Sequence, residues 1–181
     1  MNIHANVEIW RGSLLAIILI ISVITDLRTQ KIYNWVTFPG MVCGLVLNLV
    51  GSGASGILFG LEGMLVGMTW IILVLLRGSG FGDLKLLMTV GAFIGPVFTG
   101  WTILYTAIAG GVMGIGFALR RRVLKHTVKN AVIGAHVFAA VQSADSLNGM
   151  VEQSKAGKMA YAPAIAVGVL LTWLLKWHGI H

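Results

Sequence analysis

Long uncharged runs dominate this chain and alternate with short polar segments. Residues 32–76 contain a single charged side chain, Glu62, and residues 86–119 and 159–175 contain none. A helix needs about 20 apolar residues to cross the hydrocarbon core of a bilayer. The pattern therefore predicts a membrane protein in which the apolar runs form transmembrane helices.

Turn-forming residues divide the two longest apolar runs. GSGASG at 51–56 interrupts the first run, and Gly95-Pro96 with Gly100 interrupts the second. Each run is then long enough for two passes. With one more apolar segment near each end, we predict an all-α polytopic protein of six transmembrane helices in a single domain, residues 1–181. The approximate helices are 10–26, 34–51, 56–76, 83–98, 101–119 and 160–177.

The composition supports lipid as the solvent and excludes several other classes. The chain is 57% hydrophobic and only 10% charged, whereas about a quarter of the residues in a soluble domain carry charge. The single Cys43 excludes an intramolecular disulfide and a thiolate zinc cage within one chain. The five histidines are dispersed, HExxH is absent, and no basic-aromatic pattern indicates nucleic acid. We expect no cofactor, no metal and no nucleic-acid partner.

The basic residues predict the orientation of the chain. Eleven of the 13 Lys and Arg residues fall in the first, third and fifth predicted loops or, for Lys85, in the first turn of the helix beside the third loop. The second and fourth connections carry no charge. Basic residues gather in cytoplasmic loops, so both termini are predicted to be non-cytoplasmic. The fifth loop, residues 120–159, is amphipathic with an apolar core at 131–141. That core is too short to span, and it predicts an interfacial helix against the membrane lipid.

Two aspartates are predicted to reach the same cytoplasmic boundary. Asp26 ends the first predicted helix and Asp83 begins the fourth. Acidic residues at membrane depth are costly and tend to mark function. Each residue alone has a simpler explanation, Asp83 as a helix N-cap and Asp26 as an interfacial polar group. Together at one depth, they favour a functional site.

The residues around Asp83 indicate which chemistry such a site performs. Glycines at 78, 80 and 82 remove side chains just before the acid, which gives an extended peptide room to approach. Two neighbouring carboxyl groups tend to share one proton. One then acts as a base on water while the other donates to the scissile carbonyl. This is the chemistry of an aspartic protease.

Three segments carry a specific resemblance. They are DLRTQKIYN at 26–34, GFGDLKL at 80–86 and YAPAIAVG at 161–168. In this order they resemble the motifs of type IV prepilin peptidases, membrane aspartic proteases of the GxGD type. Tyr33 departs from the family, which often has Pro before the Asn of the first motif. The short length and the missing four-cysteine domain resemble the compact peptidases of tight-adherence (Flp) pili.

The resemblance implies a function and a set of site residues. The expected activity is removal of the leader from pilin or pseudopilin precursors at the cytoplasmic face of the bacterial inner membrane, without N-methylation of the product. Asp26 and Asp83 are the expected catalytic pair. The remaining candidates, for shaping the site or binding substrate, are Gly80, Gly82, Lys85, Asn34 and Pro163.

Three other functions are compatible with parts of the sequence. The run Gly53-Ala54-Ser55-Gly56 matches the GxSG of rhomboid serine proteases, but it falls in a predicted non-cytoplasmic turn. A small transporter or channel could use the two aspartates, although such sites usually lie near the midplane between repeated halves. A non-catalytic subunit of a pilus assembly machine remains the main alternative.

Glycines at 56, 60, 63 and 67, and at 110 and 114, have the spacing of close helix packing.

Overall fold

The computed structural model describes residues 3–72, 81–120 and 160–177. Regular structure within these ranges is entirely α-helical, as the sequence predicts, and they contain no strand. Gly80 lies outside the described residues. So do residues 121–159, the segment in which the sequence predicts an interfacial helix. The helices are α1 (Ile3–Thr29), α2 (Asn34–Met68), α3 (Phe81–Arg120) and α4 (Ala162–Trp177).

Three of these helices are long and apolar enough to cross a membrane. The candidate spans are Val7–Thr29, Asn34–Met68 and Phe81–Gly114, and α4 adds a shorter apolar stretch, Ala162–Leu175. Their outer faces carry large apolar side chains that the chain itself leaves exposed. A soluble domain of this size rarely exposes such a continuous apolar surface. The folded chain therefore presents a lipid-compatible exterior.

Helix α2 is broken at Gly53, where the backbone has φ 64° and ψ −144°. This positive φ is a conformation that glycine adopts at little steric cost. The break divides the helix into α2a (residues 34–52) and α2b (residues 54–68). Gly56 lies against the carbonyl oxygen of Asn48, a residue that a straight helix would place about 12 Å away. Segment α2b therefore folds back along α2a.

Helix α3 is broken in the same way at Gly95, with φ 76° and ψ −179°. Pro96 follows directly and cannot donate a backbone hydrogen bond, which weakens the helical ladder at this point. The break divides α3 into α3a (residues 81–94) and α3b (residues 96–120). It lies at one of the positions that the sequence marks as a turn.

The two segments of α3 lie side by side near the start of α4. The ring of Tyr161 contacts Gly110 of α3b, and its centroid is 5.9 Å from that of Trp70. Trp70 follows Gly67, which packs against Leu87 of α3a. In a straight helix, residues 87 and 110 would be about 35 Å apart. Helix α3 therefore folds back on itself at its break.

The closest helix contact joins α2b to α3a. A Cβ added at Gly63 would overlap the carbonyl group of Gly91, and a Cβ at Gly91 would overlap that of Gly63. One helical turn further on, a Cβ at Gly67 would lie 2.7 Å from the carbonyl oxygen of Leu87. The two backbones touch because these positions lack side chains, which is the packing expected of small residues in membrane helices.

A polar cluster joins three helices at the end of the bundle near the α2 break. The amide nitrogen of Asn48, which is fully buried, donates to the carbonyl oxygens of Gly44 at 2.9 Å and Ala92 at 2.7 Å. The Asn48 side-chain oxygen accepts from the guanidinium of Arg11. Arg11 also pairs with Glu8 at 2.6 Å. This cluster connects α1, α2a and α3a opposite the end that carries the aspartates.

Candidate active site

Asp26 lies on the buried face of α1, in its last turn. The buried positions of this helix are spaced by three, four or eight residues, so they form one stripe. They are Val7, Leu15, Leu19, Ser22 and Asp26. The helical period therefore carries Asp26 inward, and only 5% of the residue remains exposed. An acid in this position needs polar partners, because burying an unpaired charge is costly.

The first residues of α4 supply those partners. The backbone N–H of Ala162 donates to Oδ2 of Asp26 at 2.8 Å, and the backbone N–H of Tyr161 adds a second hydrogen bond. The first N–H groups of a helix have no partner within the helix. Asp26 thus caps α4, and the positive end of the α4 dipole faces its carboxyl group.

Pro163 occupies the first turn of α4, beside the residue that binds Asp26. Proline is favoured in the first turn of a helix because the N–H group that it lacks would have no partner there. Its ring also presets the backbone for helix. The carbonyl oxygen of Tyr161 then accepts from the N–H groups of Ala164 and Ile165. The third sequence motif therefore starts a helix whose free N–H groups face Asp26.

Asp83 lies in the first turn of α3 and is 8% exposed. The following residue, Leu84, belongs to the buried apolar cluster that also contains Tyr161 and Ala162. An acidic residue in the first turn of a helix is stabilised by the helix dipole. Both aspartates are therefore buried at helix termini, one at the end of α1 and the other at the start of α3.

Two contacts join the motif around Asp83 to the motif that follows Asp26. A Cβ at Gly82 would lie 3.0 Å from Cβ of Ile32, so the absence of a side chain lets α3 begin against this segment. The ammonium of Lys85 donates to the side-chain oxygen of Asn34 at 2.9 Å. The same ammonium lies 5.3 Å from the centroid of the Phe38 ring.

The predicted site residues thus gather at one end of the bundle, with one exception. The structure brings Asn34 to Lys85, Gly82 to the segment after Asp26, and Asp26 to the residue before Pro163. Gly80 lies outside the described residues. Within the described ranges, no three His, Cys, Asp or Glu side chains form a group that could hold a metal ion.

Two further residues support this end of the bundle, and the sequence pattern did not indicate them. Trp70 is 4% exposed and packs against Tyr161, whose backbone contacts Asp26. Ser22 is 1% exposed and lies one helical turn before Asp26. A tryptophan near a predicted helix end ordinarily indicates an interface anchor. Its burial at this position depends on a partner 91 residues away in sequence.

The sequence profile of the type IV leader peptidase family matches residues 13–115. Among curated proteins, the chain is 34% identical over 106 residues to a prepilin leader peptidase/N-methyltransferase of Burkholderia pseudomallei (strain 1026b). The alignment covers 54% of this chain and 34% of that protein. It is 31% identical over 115 residues to a protein of the same name from Aeromonas hydrophila, covering 60% of this chain and 40% of the relative. The chain thus spans well under half the length of these relatives. No solved structure matches it.

Proposed function

This chain belongs to the type IV leader peptidase family, and we propose that it is a prepilin leader peptidase acting as an aspartic endopeptidase. The observation that carries the proposal is the meeting of the three motifs. Asp26 of the first motif caps the helix that opens with the third, and the second motif packs and hydrogen-bonds onto the first. Two buried carboxyl groups at one end of a membrane bundle suit hydrolysis of a peptide that arrives from the membrane surface.

In the proposed mechanism, Asp26 is the general base and Asp83 the general acid. Amide N–H groups only donate, so Oδ2 of Asp26 is an acceptor in this arrangement. The other lone pairs of its carboxylate then take a proton from the attacking water. Asp83 donates a proton to the carbonyl oxygen of the scissile bond, as in other carboxyl pairs that share one proton. The tetrahedral intermediate collapses when the carbon–nitrogen bond breaks: the leaving amine takes the proton that Asp26 removed from water, and a hydroxyl group of the intermediate returns a proton to Asp83.

The remaining site residues support this pair. Gly80 and Gly82 shape the backbone before Asp83, and the contact at Gly82 leaves little room for a side chain. Lys85 and Asn34 fix the start of α3 relative to the start of α2. Pro163 defines the first turn of α4, which holds Asp26. These roles are positional, and the two carboxyl groups perform the chemistry.

The proposed substrates are the precursors of pilins or pseudopilins. Such a substrate has a basic leader followed by an apolar helix. Its leader would lie at the membrane surface while the apolar helix remains in lipid. The site suits it because Asp26 and Asp83 both occur where apolar helices end or begin.

The proposed topology has six transmembrane segments, with both termini non-cytoplasmic and the aspartates at the cytoplasmic face of the bacterial inner membrane. The breaks at Gly53 and Gly95 support it, because each divides a long helix into two segments that fold back. The distribution of basic residues supports the orientation. A reporter fused after Gly53 should be active only outside the cytoplasm, and a cytoplasmic signal there would reject this topology.

Processing of a candidate prepilin by the reconstituted protein tests the function. Wild type, Asp26→Asn and Asp83→Asn are incubated with the precursor, and the product mass is measured. The matched control is Glu62→Gln, which neutralises an exposed acid of α2b. Wild type and the control should remove the leader, and neither aspartate variant should. Full processing by either aspartate variant would reject the catalytic pair, while inactivity of wild type on the correct precursor would favour a non-catalytic assembly subunit.

A further inference from the structure

The hydroxyl group of Ser22 is buried and unpartnered. The residue is 1% exposed, and within the part of the chain that the structure describes its Oγ has no hydrogen-bond partner. A buried hydroxyl without a partner loses its hydration and gains nothing in return. Such a group in the interior of a membrane helix therefore requires an explanation.

Neighbouring hydroxyl groups behave differently. Thr25 donates to the carbonyl oxygen of Ile21 at 2.9 Å, and Thr29 donates to that of Thr25 at 2.8 Å. This back-bonding to the preceding turn is the usual way for a helical Ser or Thr to satisfy its hydroxyl. Ser22 does not use it, so its hydroxyl is available to a group outside its own helical turn.

Helix geometry directs Ser22 toward Asp26. Residues four apart lie on the same helix face with Cβ atoms about 5–6 Å from each other. Helical side chains also lean toward the N-terminus of their helix, so the carboxyl group of Asp26 leans toward the turn that contains Ser22. The amides of Tyr161 and Ala162 fill two of the roughly four acceptor positions of a carboxylate. Both amides belong to the start of α4, and about two acceptor positions are left for further donors.

We propose that Ser22 is a positioning residue for Asp26. Its hydroxyl donates to the Asp26 carboxylate through one bridging water, from the side opposite α4. The Asp26 carboxylate is then held by the hydroxyl group of Ser22 and by the two amides at the start of α4. This fixes the orientation of the general base. This inference rests on the proposed peptidase function.

Steady-state cleavage of a synthetic precursor peptide tests the inference. The peptide has a basic leader that ends in Gly and continues into the apolar segment. In Ser22→Ala, kcat should fall about tenfold with KM little changed, the pattern of an interaction that serves the chemical step. Ser22→Thr retains the hydroxyl and should keep kcat within about twofold of wild type.

Thr106→Ala is the matched control. Thr106 is also fully buried with an unpartnered hydroxyl, but it lies against Gly168 in the interface between α3b and α4. Its removal should leave kcat unchanged. If Ser22→Ala and Thr106→Ala have equal kcat values, or if Ser22→Ala changes KM alone, the inference is wrong while the peptidase function stands. If wild type fails to cleave and Asp26→Asn behaves identically, the proposed function fails first.

Discussion

The side-chain oxygen of Asn34, the first residue of α2, accepts a 2.9 Å hydrogen bond from the ammonium of Lys85 in the second turn of α3. The two residues are 51 positions apart and belong to different sequence motifs. This contact fixes the start of α2 against the start of α3, two residues after Asp83 in the chain. It is a direct polar connection between the two motifs.

Breaking this contact should lower activity more than stability. We expect Lys85→Met and Asn34→Leu each to reduce kcat/KM by about three- to tenfold, which corresponds to a net hydrogen-bond contribution of about 0.5–1.5 kcal/mol. The double variant should be no worse than either single one, because both remove the same interaction. Peptide cleavage rates for wild type, the two single variants and the double variant form a double-mutant cycle. If the loss in the double variant equals the product of the two single losses, the two side chains act separately.

The amide of Ala162 can be removed without removing the helix that it begins. In Ala162→Pro, the first helical position is occupied by proline, which is favoured there. The variant lacks the N–H group that binds Asp26. We expect kcat to fall at least tenfold, the order expected when a hydrogen bond to a charged catalytic group is lost. Circular dichroism of the purified variant should retain the helical signal of wild type. A fully active variant would show that Asp26 does not depend on the amide of Ala162.

Asn48 should contribute to stability and not to catalysis. Asn48→Leu leaves Arg11 and the carbonyl oxygen of Ala92 without their partner. We expect the free energy of unfolding to fall by about 2–3 kcal/mol, the cost of leaving buried polar groups unsatisfied. Thermal unfolding in detergent measures the loss, and the activity of the folded fraction should match wild type. The exposed Ser55→Ala is the control, with no expected change in the unfolding midpoint.

The contact between α2b and α3a should not tolerate a methyl group. Gly63→Ala forces a Cβ into the carbonyl group of Gly91, and overpacking of this kind costs about 1–3 kcal/mol. Gly111→Ala makes the same chemical change in α3b, where no atom lies within 4 Å of the added Cβ. That variant should gain up to about 1 kcal/mol from its higher helix propensity. Opposite shifts in the unfolding midpoint are expected, and equal shifts would reject the close backbone contact.

The sequence predicted those features that depend on local pattern. Apolar runs predicted the helices. The glycine and proline at 95 and 96 predicted the break at Gly95, because these residues occur where a helix is interrupted. Packing glycines are recognised by spacing alone, and this signal was only partly reliable. Gly63 contacts Gly91 as expected, whereas Gly114 has nothing within 4 Å of its Cβ position.

The features that the sequence did not predict depend on a distant partner. In the sequence, Asn48 is an isolated polar residue in an apolar helix. Its role is visible only in the fold, where it hydrogen-bonds to Ala92 and Arg11. Likewise, nothing in the local sequence distinguishes Trp70 or Ser22 from other residues of apolar helices. Their burial follows from how α1, α2b and α4 converge, which local periodicity does not specify. The distance of Asp26 from Ala162 along the chain hides their hydrogen bond in the same way.

The dependence of Asp26 on α4 has a consequence for how the protein is made. Asp26 is synthesised early, but the amides that hold its carboxyl group belong to Tyr161 and Ala162, where α4 begins. A nascent chain that has inserted α1, α2 and α3 carries both aspartates and lacks the partner that orients the first. Proteolytic competence would then arise only when α4 enters the bundle, so that a partly inserted chain stays inert during its own biogenesis.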